Sequence, residues 1–202
     1  MKQKILPQLF IIYLRYLIGF AFIFSSLVKI QGLRFTTDSG AENPINSAWH
    51  FFETLYQSGI YWRFLGIAQF ITGSLLITQR CAKLGAILFL PIIANIFIIT
   101  ISYDFKGTPI ITGLMLLSAM FLIYWDWYSL KVLFNMKPTN SDQKRLENDT
   151  IWMYLEFALI ALTLIAKIVL NGQKIIYALL LIPIIGLAGL IIGYRRRKLY
   201  LN

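Results

Sequence analysis

The stretch LGAILFLPIIANIFIITI, residues 84–101, runs eighteen residues without a charge. At 1.5 Å per residue a helix of that length covers about 27 Å, close to the ~30 Å hydrocarbon core of a bilayer. No polar stripe divides it, so no face is set aside for water, and the stretch reads as a membrane span. Five further segments pass the same test. Before it lie Leu6 to Val28 and Trp62 to Thr78, and after it lie Ile110 to Trp125, Ile151 to Ile168 and Ile175 to Ile192.

Composition agrees. Of the 202 residues, 58% are apolar or aromatic and only 14% charged, and mean hydropathy is +0.68; soluble domains hold about 45–50% and about 25%. The net charge of +10 comes from short basic clusters between apolar runs, the pattern that orients membrane helices, and not from a nucleic-acid patch. With six spans, twelve Lys and Arg fall on the face of the two termini and six on the other, Arg15 lying within a span. The richer face should be cytoplasmic, which predicts a multi-pass protein of the inner (plasma) membrane with both termini inside. Trp62, Trp125, Trp127, Trp152 and Tyr194 fall at span ends, where amphipathic rings favour the headgroup level. The chain starts Met-Lys-Gln-Lys before an apolar run but shows no small-x-small cleavage site, so the first helix reads as uncleaved. Cys81 is the single cysteine, which excludes an internal disulfide and a CxxC redox pair.

Two connections are long. Residues 31–61 face outward; after the N-cap candidates Asn46 and Ser47, the run holding Trp49, His50, Phe52 and Glu53 predicts a helix on the outer leaflet, ending at Ser58 and Gly59. That helix either caps the bundle or acts as a ligand lid. Residues 135–150 are polar and charged and read as a cytoplasmic linker before a C-terminal helical hairpin, 151–202. The run Arg195, Arg196, Arg197, Lys198 reads as an anchor touching anionic lipid. His50 and Glu53 stand one turn apart, but no third ligand follows and zinc needs at least three, so no metal site is expected. No phosphate loop, nucleophile triad or zinc-protease motif is present, and no catalytic residue is assigned.

A charge near the middle of a span costs roughly 2.5–3.5 kcal/mol on insertion scales, so polar residues there need an account. Arg15 and Glu156 lie at similar depth from the cytoplasmic side: they pair, or each snorkels to the interface. Gln69 and Asn95 lie at similar depth from the outer side, on helices joined by a tight turn. They form an interhelical amide pair, or they contact a quinone or lipid headgroup. Gly66 and Gly73 share a helix face and permit close approach, and Pro91 should bend its helix.

Arg15, Gly19, Phe22 and Lys29 in the first span, Gly59, Gly66, Gln69, Gly73 and Arg80 around the second, and Pro91 with Asn95 in the third form a pattern that resembles the DoxX-like membrane family over residues 13–134. The resemblance implies a four-helix membrane bundle, in a family whose members serve quinone-linked redox systems and whose distant relatives look like assembly chaperones or cargo receptors. This chain has Gln69 where the family often carries glutamate, and it lacks a cysteine pair, which argues against redox catalysis of its own. The sequence therefore predicts an all-α polytopic protein: a four-helix domain (1–134), a linker (135–150) and a transmembrane hairpin (151–202). Its expected role is a non-catalytic accessory or scaffold subunit of a larger inner-membrane complex, touching membrane lipids and a membrane-protein partner; the alternative is a quinone-associated subunit of an oxidoreductase.

Overall fold

The computed structural model describes residues 5–137, 145–169 and 186–195 and contains helices and turns, with no strand among the described residues. The helices are α1 (Ile5–Ile30), α2 (Ala48–Gln57), α3 (Ile60–Ile77), α4 (Ala82–Ser102), α5 (Thr108–Leu130) and α6 (Ile151–Val169), with a last described helical stretch, α7, at 186–195. α1, α3, α4 and α5 with the 3-10 turn that extends it to Phe134 are long and apolar enough to cross a membrane. The apolar run at 151–168 is helical as expected; of the sixth expected span, residues 175–185 lie outside the described residues.

The chain divides into two compact units, one of Leu14–Ile77 with Cys81–Asn140, the other of Met1–Tyr13 and Thr78–Arg80 with Ser141–Asn202. The first residues of α1 thus group with the C-terminal part of the chain.

In the first unit local chemistry sets the helix ends. Ser47 is extended and its Oγ accepts the His50 amide at 3.2 Å, starting α2. Gly59 (φ +58°) turns the chain from α2 into α3, and Gly107 (φ +75°) precedes α5, conformations that favour glycine. The helices then approach where side chains are smallest. A Cβ on Gly73 would stand 2.6 Å from the Gly19 carbonyl oxygen, and one on Gly66 would stand 2.8 Å from Lys29 Cβ, so α1 and α3 touch backbone to backbone. Gly85 brings α4 equally close to α3 at Leu76. Phe22 stacks on Phe89 with ring centres 4.0 Å apart, tying α1 to α4. The Thr100 and Thr112 hydroxyls meet at 2.9 Å between α4 and α5. Ile18, Ile23, Trp62, Leu76, Phe89, Ile93 and Leu122 fill the interior, whereas Leu17, Phe64, Ile98, Ile110, Leu114 and Tyr124 stand exposed on the outer faces. Burying apolar residues inside while leaving others outside removes the amphipathic contrast that a water-facing bundle needs.

In the second unit Oε1 of the Gln8 side chain accepts the Leu146 backbone amide at 2.8 Å, and Trp152 Nε1 donates to the Leu146 carbonyl at 2.8 Å. The Tyr13 hydroxyl donates to the Gly186 carbonyl, and its ring meets Trp152 edge on at 6.5 Å. Gly189 and Gly193 let α7 lie against Leu155 and Trp152. The end of the expected polar linker is thus packed, not solvated: Arg145, Leu146 and Glu147 are buried, and Arg145 pairs with Glu147 at 2.8 Å. Leu146 supplies the apolar anchor, and the ion pair lets its charged neighbours follow it inside.

Candidate functional site

Two polar constructions stand out in the unit of residues 14–77 and 81–140. The first lies in the bundle interior. Arg15 on α1 extends its Nη2 to Oδ2 of Asp126 on α5 at 2.7 Å, with the two side chains only 1% and 2% exposed. The guanidinium thus meets a carboxylate the sequence reading passed over. Its signal was present: α5 continues to Leu130, so Asp126 lies a full turn inside a helix whose apolar run was taken to stop at Trp125. Separately, each charge would carry a desolvation cost of several kcal/mol; together they form a charge-assisted bond that cross-links α1 to α5. Glu156, the partner expected for Arg15, belongs to the second unit, where it is buried with Oε2 lacking a hydrogen-bond partner.

The second construction is the cap. Glu53 on α2 is 3% exposed and its carboxylate accepts from three residues. Arg34 donates Nε to Oε2 at 3.0 Å and Nη2 to Oε1 at 3.0 Å, the Gly40 amide donates to Oε2 at 3.2 Å, and Gln57 Nε2 donates to Oε1 at 3.2 Å. The Arg34 fork holds the Glu53 carboxyl far below the ordinary carboxylate range, at about 2, against burial that pushes it up, with Gly40 and Gln57 adding to the lowering. The long loop is thereby fastened to α2, and Gly40 has no room for a side chain because a Cβ would fall 2.1 Å from the Trp49 carbonyl oxygen. Aromatic rings complete the cap: Phe52 lies against Phe35 and Phe105, with ring centres 5.5 Å and 4.9 Å away, and Phe51 stacks on Tyr103 at 4.6 Å. Arg34 also sits 4.8 Å from the centre of the Tyr56 ring.

Beneath the cap, at the C-terminal turn of α1, lies Lys29. Its ammonium donates to the Ser25 carbonyl at 2.8 Å and stands 5.0 Å from the Phe35 ring centre and 5.2 Å from that of Trp62, whose indole N–H donates to the Leu33 carbonyl at 2.9 Å.

The remaining expected site residues are dispersed. Gln69 is buried on the α1-facing side of α3 with Oε1 lacking a hydrogen-bond partner, whereas Asn95 is exposed on α4, so the two share no hydrogen bond. Trp49 is exposed on the outside of α2, and Phe52 turns inward. His50 has Nδ1 buried without a hydrogen-bond partner, and Glu53 turns to Arg34 instead of to the histidine. No group of three His, Cys, Asp or Glu is placed to hold a metal among the described residues. Arg195 is exposed, while Arg196, Arg197 and Lys198 lie outside the described residues. Arg34 and Asp126 are the partners that sequence reasoning missed, one in the outward connection before α2 and the other one residue past the expected end of the fourth span.

No family model matches the chain, and no solved structure matches it. It is similar to the uncharacterized protein YwoB of Bacillus subtilis (strain 168), 27% identical over 146 residues that make up 70% of this chain and 90% of that protein.

Proposed function

We propose that this protein is a non-catalytic integral membrane subunit that helps assemble or anchor a larger complex of the plasma membrane. In this reading it is a DoxX-like four-helix bundle followed by a transmembrane hairpin, six spans in all, with both termini and the basic tail in the cytoplasm and α2 on the outer leaflet. The observation that carries the reading is the Arg15–Asp126 pair: two buried charges of the bundle interior are spent on joining two helices, at 2.7 Å and shielded from solvent. A group committed in that way is poor at moving protons or electrons and good at holding a shape that a partner recognises. The exposed apolar faces of α4 and α5 supply membrane surface on which lipids and a partner helix can pack.

Gln69 favours a second reading, a quinone-associated subunit of an oxidoreductase, because a buried amide oxygen without a hydrogen-bond partner invites a ligand donor. One experiment separates the two. The protein is extracted in mild detergent, co-purifying proteins are identified and the sample is assayed for bound quinone. A stoichiometric membrane-protein partner without quinone supports the scaffold; stoichiometric quinone that disappears in Gln69→Ala replaces it with the second reading.

A further inference from the structure

We propose a binding site for the phosphate of an anionic phospholipid at the outer corner of α1 and α3, made by Lys29 and Arg63. Lys29 is the starting point because it is only 8% exposed yet uses one of its three N–H donors, on Ser25. Its other neighbours are the faces of Phe35 and Trp62, which attract a cation but cancel no charge. The helix C-terminus favours a cation at this position and explains why lysine is tolerated there, but a partial charge at a helix end is no counterion.

Arg63 is the second, independent observation. It is exposed one residue after Trp62, and its guanidinium lies over Gly32, where a Cβ would be 3.2 Å from Nη2 and 3.3 Å from Nε. Gly32 has φ +68° and its amide donates to the Lys29 carbonyl at 3.0 Å. The absence of a side chain there leaves the guanidinium resting on the turn that directly follows Lys29. Among the described residues no carboxylate lies within ion-pair distance of Lys29 or Arg63. The acid of the cap, Glu53, is already gripped by Arg34.

The corner therefore holds one sheltered cation flanked by aromatic rings and one exposed cation, both uncompensated, at the end of helices that would emerge from the hydrocarbon core. A phosphate oxygen can accept from the spare Lys29 donors while the Arg63 fork holds the phosphate from above, and the acyl chains lie along the exposed apolar side of α3 at Phe64, Ile67 and Ile71. Phosphate chemistry alone would also admit the free ion. The position beside a lipid-facing helix favours the phospholipid, and Gln69, deeper on α3, has no part in the site.

The inference rests on the four helices crossing a bilayer and is independent of whether the protein is a scaffold. The full chain is reconstituted in nanodiscs of equimolar phosphatidylglycerol and phosphatidylcholine, and the lipid that stays bound on release is measured by native mass spectrometry. The wild type should keep one phosphatidylglycerol in preference to phosphatidylcholine. Lys29→Met and Arg63→Gln should each weaken retention about fivefold, the scale of one basic residue at an anionic surface, while Lys106→Gln leaves it unchanged. Should Lys29→Met fail to fold, Lys29→Arg, which keeps the charge, must retain the lipid while the exposed Arg63→Gln loses it. Equal retention of the two lipids, or unchanged retention in Arg63→Gln, overturns the proposal. So does displacement of the lipid by millimolar inorganic phosphate, which would assign the corner to the free ion. Co-purification of the protein partner, scored on the same variants, keeps failure of this site distinct from failure of the scaffold reading.

Discussion

At the scale of single residues, Arg15 and Asp126 form a pair whose members depend on each other. Removing one leaves the other buried and uncompensated, a loss of about 3–5 kcal/mol, whereas removing both leaves only a polar gap. Arg15→Ala and Asp126→Ala should therefore each destabilise strongly in detergent unfolding, and the double variant should lose clearly less than their sum. Glu53 gives a second prediction at this scale. Its folded value, about 2, is depressed from an ordinary 4.5, so the stability it adds is complete above pH 4.5 and is lost progressively as pH falls from there through about 2. Protection of the Gly40 amide, corrected for intrinsic exchange, should hold from pH 7 to about 5 and vanish near pH 2, and Glu53→Gln should lower it at pH 7. Sequence alone flagged Arg15 because a charge within an apolar span requires an explanation, and Glu53 because it stands one turn from His50 on the helix of the outer loop. It could not select their partners, since Arg34 lies 19 positions from Glu53 and Asp126 lies 111 from Arg15, and only the packing closes such distances.

Among the helices, the controlling contacts are between glycines. Because a Cβ on Gly73 would fall 2.6 Å from the Gly19 carbonyl oxygen, Gly73→Ala must push α1 and α3 apart and should cost about 1–3 kcal/mol, the range for overpacking. Gly113→Ala meets only the edge of the Phe97 ring, at 3.1 Å, a side chain that can give way, and thermal unfolding should rank it much the milder. The four helices long and apolar enough to cross a membrane were readable as apolar runs, and α2 was readable from its Ser47 cap. What could not be read was which way each helix faces. Both sides of α4 are apolar, since Ile93 is buried and Ile98 exposed, so hydrophobicity gives no phase. That is why Asn95 could be matched in depth to Gln69 and still point away from it.

For the molecule as a whole, the basic clusters make a testable claim about sidedness. Cys81 is exposed and is the single cysteine of the chain, so the native protein carries its own reporter beside Arg80. With the basic face inside, a membrane-impermeant maleimide should leave Cys81 unlabelled in intact cells and label it in inverted vesicles. In a Cys81→Ser background, Ser39→Cys in the loop before α2 should behave in the opposite way. The grouping of residues 1–13 with 141–202 was beyond the reach of the sequence, which offered a composition change near residue 135 and no sign that the first helix has two sets of neighbours.

The bond from Leu146 to Gln8 joins positions 138 apart, and this has a bearing on biosynthesis. A nascent chain emerges from the ribosome with its first helix in hand long before the segment that will occupy Gln8 has been translated. Until then Leu9, buried beside Gly193 of α7 in the finished protein, lacks that neighbour. Ribosome-stalled chains that stop short of residue 146 should accordingly be more sensitive to membrane proteases and insertion chaperones than those released at full length.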